Sequence, residues 1–380
     1  MNNLHPYTWL HPKSAPMWLV ALLVGLLPCY ATMAQNHLRV SEIGGFPQSE
    51  AGYAMGVSAC FAGTIGNHII MARGCNFPDN SGVKHYYKGI YAACWQADTL
   101  QWRRIGTLPE PVAYGATVDM GDSLLLIGGN NQEHSLRQVV SVKLDPRGNA
   151  IITRLPSLPV TVDNGAAAYA KGHVFVFGGN QNGKPSKALW SLSCSRPTSQ
   201  WKSRKAMPGK PRVQPVCVAH GQRLFAWGGF YAKGAKSKVA TDGYAYDVKR
   251  NRWAQLAAPR NAAGESLTLS GATGATNGEG LLLCLGGVNK TIFADAISGK
   301  YQLVDQADYL KQPVAWYRFN ATPLVFNAKT LRWLKPTTPD ARLARAGALL
   351  VGITANQFLY IGGELKPGVR TPQILRIELE

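Results

Sequence analysis

An all-β fold assembled from six copies of a four-stranded unit is what this sequence predicts, on three observations. Apolar runs ending in paired glycine recur: "LLLIGGN" at Gly128–Gly129, "VFVFGGN" at Gly178–Gly179, "LFAWGGF" at Gly228–Gly229, "LLLCLGGVN" at Gly286–Gly287 and "FLYIGGE" at Gly362–Gly363, with "IIMARGCN" at Arg73–Gly74 as an imperfect sixth copy. A tryptophan or a stand-in comes after most of them and leads into a proline-bearing turn, as in "QWRRIGTLPEP", "QWKSRKAMPGKP" and "RWLKPTTP". The second glycines lie 50 to 58 residues apart, except that Gly287 and Gly363 are 76 apart. A fixed period of this length is the signature of a repeat architecture.

The elements can be taken in chain order. Residues 1–34 read as a signal peptide: the apolar run "APMWLVALLVGLLPCYATMAQ" comes after Lys13 and ends in small residues, with cleavage expected after Ala34. Proline before Cys29 argues against a lipoprotein box. The run is short for a membrane span, and no second one succeeds it. An exported, periplasmic protein without stable membrane insertion is therefore expected. Residues 35–380 read as one domain. Each unit begins with a small-residue strand such as "AYGATVDM", continues into the glycine-terminated strand, then a third strand, then the tryptophan strand. That is a kelch-type blade, and six make a six-bladed β-propeller. Paired glycine suits a strand end where backbones crowd and φ is positive, the tryptophan can pack between neighbouring blades, and radial repetition protects sheet edges. The chain ends on a third strand, "PQILRIELE", and "NHLRVSEIGGFP" near residue 36 reads like a missing outer strand. The N-terminal strand is thus expected to close the last blade. The long interval holds an insertion at about 291–320, with weak helical periodicity and several aromatics, of the kind that caps a propeller channel.

Composition narrows the function. The chain has 380 residues, 46% hydrophobic, with 40 basic against 21 acidic side chains, a net charge of +19. Such a surface attracts anions, but the basic residues are scattered without the clusters of a nucleic-acid-binding protein, and a small anionic ligand fits better. Six cysteines lie beyond the leader: Cys60, Cys75, Cys94, Cys194, Cys217 and Cys284. Most lie in strand-like runs, so buried free thiols are expected; Cys60 with Cys75 is the one pair worth checking for a disulfide. No two of the later histidines stand at metal-ligand spacing, and no G-x-S-x-G, P-loop or dinucleotide fingerprint is present. No metal and no cofactor are expected, and a copper radical site lacks its Tyr/His/Cys set.

Counting strands outward from the channel, the double glycines end the second strand, so the residues directly after them lie on one face. That face collects Asn76, Asn130, Asn131, Asn180, Asn289 and Glu364, and the turns entering the first strands add Glu50, Tyr53, Tyr114, Asp163, Asn164, Arg212, Arg342 and Arg345. Amides, tyrosines and arginines around one mouth suit a sugar bearing a carboxylate, which arginine grips with two parallel hydrogen bonds. Asn76, Tyr114, Asn180, Arg212, Asn289 and Arg345 are the binding candidates.

"GCNFPD", "LPEPVAYGATV", "LPSLPVTVDNGAAA", "TDGYAYD", "CLGGVNKTIF", "PVAWYRFN" and "GGELKPGVRT" together resemble the cyclically permuted mutarotase family, exported bacterial kelch propellers related to sialic acid mutarotases. The resemblance covers nearly the whole chain after residue 34 and implies that Glu364 is an acid/base group and Arg370 the carboxylate binder. Arg73 departs from the pattern by replacing a glycine. Mutarotation opens and recloses a cyclic hemiketal, so it needs one group to take the anomeric hydroxyl proton and another to protonate the ring oxygen. Glu364 suits the first role; Lys366, a tyrosine or water remain open for the second. Two functions are weighed: an isomerase interconverting the anomers of N-acetylneuraminate or a similar acidic sugar, and a non-catalytic propeller binding a glycan or protein. A carboxylate beside the carboxylate-binding arginine favours the enzyme. Oligomeric state is left open.

Overall fold

The computed structural model describes residues 38–79, 81–96, 98–196 and 198–380. The leader and its cleavage point lie outside them.

The chain is all-β, with six antiparallel sheets of at least four strands taken up in sequence. The first sheet runs Phe61–Ile65, His68–Ala72, Gly89–Cys94, Arg103–Thr107; the second Ala116–Asp119, Leu124–Ile127, Val139–Leu144, Ala150–Leu155; the third Ala166–Ala170, His173–Phe177, Leu189–Ser193, Lys202–Arg204. The fourth holds Val213–His220, Arg223–Tyr231, Gly243–Asp247 and Arg252–Leu256; the fifth Ala272–Thr276, Leu281–Gly286, Leu324–Asn327 and Arg332–Trp333. The sixth starts with Leu349–Gly352, Gln357–Ile361 and Ile374–Leu379, and its outer strand is Leu38–Ile43, paired antiparallel to Ile374–Leu379 from Leu38↔Leu379 to Ile43↔Ile374.

Six hydrophobic cores fill the spaces between consecutive sheets. In His68–Ala72, Ile69 and Met71 enter the core shared with the sixth sheet, while Ile70 and Ala72 enter the core shared with the second. The two-residue side-chain period sends alternate residues to opposite sides. A strand buried on both faces reads as the continuous apolar run seen in the sequence.

The paired glycines work where sheets meet. Gly129 N–H donates to the Val162 carbonyl of the next connection (2.8 Å), Gly179 to Arg212 (2.7 Å), Gly287 to Arg345 (2.8 Å) and Gly363 to Val57 (2.9 Å). At Gly128, φ is +59° and a Cβ would lie 2.2 Å from the Val162 oxygen, so only glycine fits. The tryptophans staple the outer strands: Trp201 Nε1–H donates to Pro156 O (2.8 Å), Trp253 to Lys205 O (2.7 Å) and Trp333 to Ala257 O (2.9 Å), each reaching the preceding sheet.

The insertion carries two short helices, Lys290–Ile297 and Gln306–Tyr309, and a 3₁₀ turn, Val314–Tyr317. No helix among the described residues is long and apolar enough to cross a membrane. The six cysteines among the described residues are free; Cys60, Cys75 and Cys284 are buried, but Cys194 is exposed, because its run ends at the strand terminus.

Candidate active site

Six residues at the start of the first strands form a cycle of backbone hydrogen bonds. Ala59 N–H donates to Gly347 O, Gly347 to Gly271, Gly271 to Gln214, Gln214 to Asn164, Asn164 to Tyr114, and Tyr114 back to Ala59, at 2.7–3.2 Å. All six have positive φ. Around them lies a cavity of about 140 Å³, lined by residues at the entry to each first strand, among them Cys60, Tyr114, Asn164 and Gln214, together with Glu364.

Glu364 reaches this cavity from the hairpin Glu364–Lys366/Val369–Arg370. Its backbone pairs with Ala346, N–H to O 2.7 Å, beside the cycle residue Gly347. The turn at Pro367–Gly368, where φ of Gly368 is +88°, returns the chain so that Arg370 stands opposite Glu364. Arg370 Nη2 lies 2.7 Å from Glu364 Oε1, with the arginine side chain 3% and the glutamate 25% exposed. Arg370 Nε–H donates to Ser58 Oγ (3.0 Å) and its guanidinium stacks over the Phe77 ring at 4.8 Å. Nη1 is buried and has no partner among the described residues. Burial raises the Glu364 carboxyl above the ordinary glutamate range; Arg370, the Gly368 N–H and Lys84 pull the other way.

Tyr114, a member of the cycle, lines the same cavity. Its phenol is held well above its usual pKa, first by burial, then by Cys75 and Glu364, with Arg370 opposing. Lys84 Nζ donates to the Tyr114 hydroxyl (3.1 Å) and sits 4.9 Å from that ring's centroid. Lys84, Ser58 and Phe77 were missed in the sequence. Lys84 comes after the imperfect Arg73–Gly74 pair on the glycine-marked face, and that placement was the available signal.

The structure places the other candidates as follows. Arg212 and Arg345 are 3% and 1% exposed and turn inward. Arg212 donates to Gly228 O, Asp242 O and Asp242 Oδ2 (2.8, 3.2 and 2.8 Å); Arg345 donates to Gly362 O (3.0 Å), Gln373 O (2.9 Å) and the Gln373 amide oxygen. Both brace their own sheet. Asn76 is buried, donating to Gly52 O and Gly56 O and accepting from Tyr87 OH. Asn289 caps the helix Lys290–Ile297, accepting from Thr291 and Ile292 N–H. The Lys366 ammonium donates to Leu310 O (3.2 Å) and Gln312 O (2.7 Å) and ties the insertion to the hairpin. Asn180 donates to Asp163 Oδ1 (2.8 Å), as does the cavity-lining Asn164, whose own Oδ1 accepts from Gln214. Asn180 thus orients a neighbour of the cavity.

Residues 155–380 match the model of a family described as N-acetylneuraminate epimerase, which is more than half of the chain and contains the Glu364–Arg370 hairpin. The chain belongs to the N-acetylneuraminate epimerase family. Proteins named N-acetylneuraminate epimerase from Salmonella paratyphi B, Yersinia enterocolitica and Haemophilus influenzae are 29%, 31% and 30% identical over 250, 244 and 232 residues. Those matches take in 62%, 60% and 57% of this chain and 61%, 58% and 57% of the relatives, so it spans about three fifths of the relatives' length.

Proposed function

We propose that the six sheets close into a six-bladed kelch-type propeller whose mouth interconverts the anomers of N-acetylneuraminate or a similar acidic sugar. The observation that carries the reading is the Glu364–Arg370 pair at the cavity: a carboxyl with a raised pKa, and a buried arginine whose Nη1 lacks a partner among the described residues. A ligand carboxylate completes that guanidinium, since a buried donor left unpaired is costly. With the carboxylate held, Glu364 takes the proton of the anomeric hydroxyl; the bond from anomeric carbon to ring oxygen then breaks, its electron pair leaves with the ring oxygen, which takes a proton from a second donor, and an open-chain ketone results. Reclosure on the opposite carbonyl face, with Glu364 returning the proton, gives the other anomer. The cycle of backbone bonds through all six first strands, the cores between successive sheets and the names of the relatives support the propeller and the substrate class. Export to the periplasm belongs to the same reading.

The test measures anomer exchange by NMR after a sialidase has released the α-anomer, with and without the protein. Faster exchange with N-acetylneuraminate and none with glucose is expected. Tight glycan binding with exchange at the spontaneous rate would replace the enzyme by a binding propeller.

A further inference from the structure

Ring opening needs a proton delivered to the ring oxygen while Glu364 removes one from the anomeric hydroxyl. Water is one source, but the cavity holds a fixed one. Among its described lining residues, Glu364, Cys60 and Tyr114 carry titratable side chains. Cys60 is buried, and its thiol is pushed up to about 12 by that burial. Lys366 is engaged with the insertion's carbonyls.

Tyr114 differs from its equivalents. The other five members of the hydrogen-bonded cycle are Ala59, Asn164, Gln214, Gly271 and Gly347, all small or amide residues. Tyr114 puts a large aromatic side chain on a backbone with φ +60°. A bulky residue in that region is strained, and such strain persists where the surroundings enforce it and gathers at functional sites. The position puts Tyr114 in the cavity's lining, and its hydroxyl accepts from an ammonium, Lys84 Nζ at 3.1 Å. The ammonium donates to the phenol oxygen, so the phenol's own proton, directed at the buried Cys75 thiol, can turn to the ring oxygen of a bound sugar.

We infer that Tyr114 is the second proton-transfer group of the site and that Lys84 positions it and stabilises its phenolate. This rests on the acid/base reading of Glu364 given above. The steps balance. Glu364 carboxylate takes the anomeric O–H proton, and that O–H electron pair becomes the second bond of the ketone. The pair of the bond between anomeric carbon and ring oxygen leaves with the ring oxygen, which takes the Tyr114 proton. The phenolate formed faces the Lys84 ammonium. On reclosure Tyr114 recovers its proton from the attacking hydroxyl, and Glu364 gives its proton to the carbonyl oxygen. Both groups return to their starting states, and no co-reactant is consumed.

The experiment compares wild type, Glu364→Gln, Tyr114→Phe, Lys84→Met and Lys84→Arg with N-acetylneuraminate, measuring anomer exchange by NMR, ligand Kd by calorimetry and the rate in H₂O/D₂O mixtures. Tyr114→Phe keeps the ring and loses only the hydroxyl. Its kcat is expected to fall about 10²–10⁴-fold with Kd within about threefold of wild type. The rate of the wild type should curve with deuterium fraction, two protons being in flight, whereas that of Tyr114→Phe should be linear. Lys84→Met should slow exchange and Lys84→Arg should restore part of it. Wild-type exchange in Tyr114→Phe, with Glu364→Gln inactive, overturns the role of Tyr114 alone. A fall in rate matched by an equal rise in Kd overturns it as well, in favour of simple binding. Wild-type protein that binds the sugar yet leaves exchange at the spontaneous rate overturns the mutarotase reading together with this one.

Discussion

Glu364 and Arg370 stand six positions apart and meet across a hairpin at 2.7 Å, so each sets the other's chemistry. Glu364→Gln keeps shape and hydrogen bonding but removes the exchangeable proton; kcat for anomer exchange should fall about 10²–10⁴-fold while the sugar still binds. Arg370→Ala should raise KM for an acidic sugar about 10- to 150-fold, the equivalent of ~1.5–3 kcal/mol for a charged hydrogen bond, and leave a neutral sugar unaffected. The same variant should report on pH. Burial raises the Glu364 pKa while Arg370 and Lys84 oppose that rise, so the carboxylate is lost as pH falls through a value above the ordinary 4.5. Removing Arg370 removes an opposing charge and raises that value further. The acid limb of kcat/KM should therefore move to higher pH in Arg370→Ala; a fixed limb would mean that Glu364 is not the titrating base. Of this site, the hairpin was legible in the sequence because Gly362–Gly363 fixes its place and Pro367–Gly368 its turn. The inward turn of Arg212 and Arg345 was not legible: a sequence places an arginine at a turn but does not say which way its side chain folds. Here the carbonyls of the glycine pairs, Gly228 and Gly362, hold both guanidinia inward.

At the scale of elements, the glycine pairs and the tryptophans proved readable because each answers a constraint local in sequence and repeated in space. Paired glycine is required where a second strand ends against the next connection, and tryptophan where an outer strand must reach back to the preceding sheet. The cycle through Ala59, Tyr114, Asn164, Gln214, Gly271 and Gly347 left no such trace, since only two of its six residues are glycine and the shared feature is a positive φ. The tryptophan staple gives a direct test. Trp253 donates to Lys205 O and packs against Tyr246 and Phe177, with ring centroids 5.0 and 5.6 Å away. Trp253→Phe keeps an aromatic ring and deletes the donor. It should lower the urea midpoint by the equivalent of about 1–3 kcal/mol without changing the m-value, because one bond is lost and the surface exposed on unfolding is not altered. An unchanged midpoint would mean that the ring contacts alone hold the outer strand.

At the scale of the whole molecule, the sixth sheet depends on a join between the first and last described strands. Leu38–Ile43 lies antiparallel along Ile374–Leu379, and Ile43 and Phe46 enter the core that the sixth sheet shares with the first. That core also contains Tyr53, Tyr87 and Tyr91, and Tyr53 OH donates to the Arg73 carbonyl at the imperfect glycine pair. The first sheet is thus braced by residues whose own support is the last sheet. Burial of Ile43 and Phe46 alone contributes about 3–6 kcal/mol at 1.5–3 per large apolar side chain. Set against a typical total of about 5–15 kcal/mol, this is a large share, and the loss of six backbone pairings adds to it. A chain lacking residues 1–46 should therefore melt far below the full protein and associate through the exposed Ile374–Leu379 edge, which offers unpaired N–H and C=O groups to any strand. A synthetic peptide of residues 38–46 added to the truncated chain should restore the melting temperature in a concentration-dependent way, since strand addition to a free edge is a standard binding mode and binding to the folded state alone stabilises it. Mutating Ile43 to Asp in that peptide should abolish the rescue. Melting of the truncated chain at the full-length temperature, with no response to peptide, would mean that the sixth sheet holds with three strands and that the N-terminal segment is an accessory rather than the closing strand.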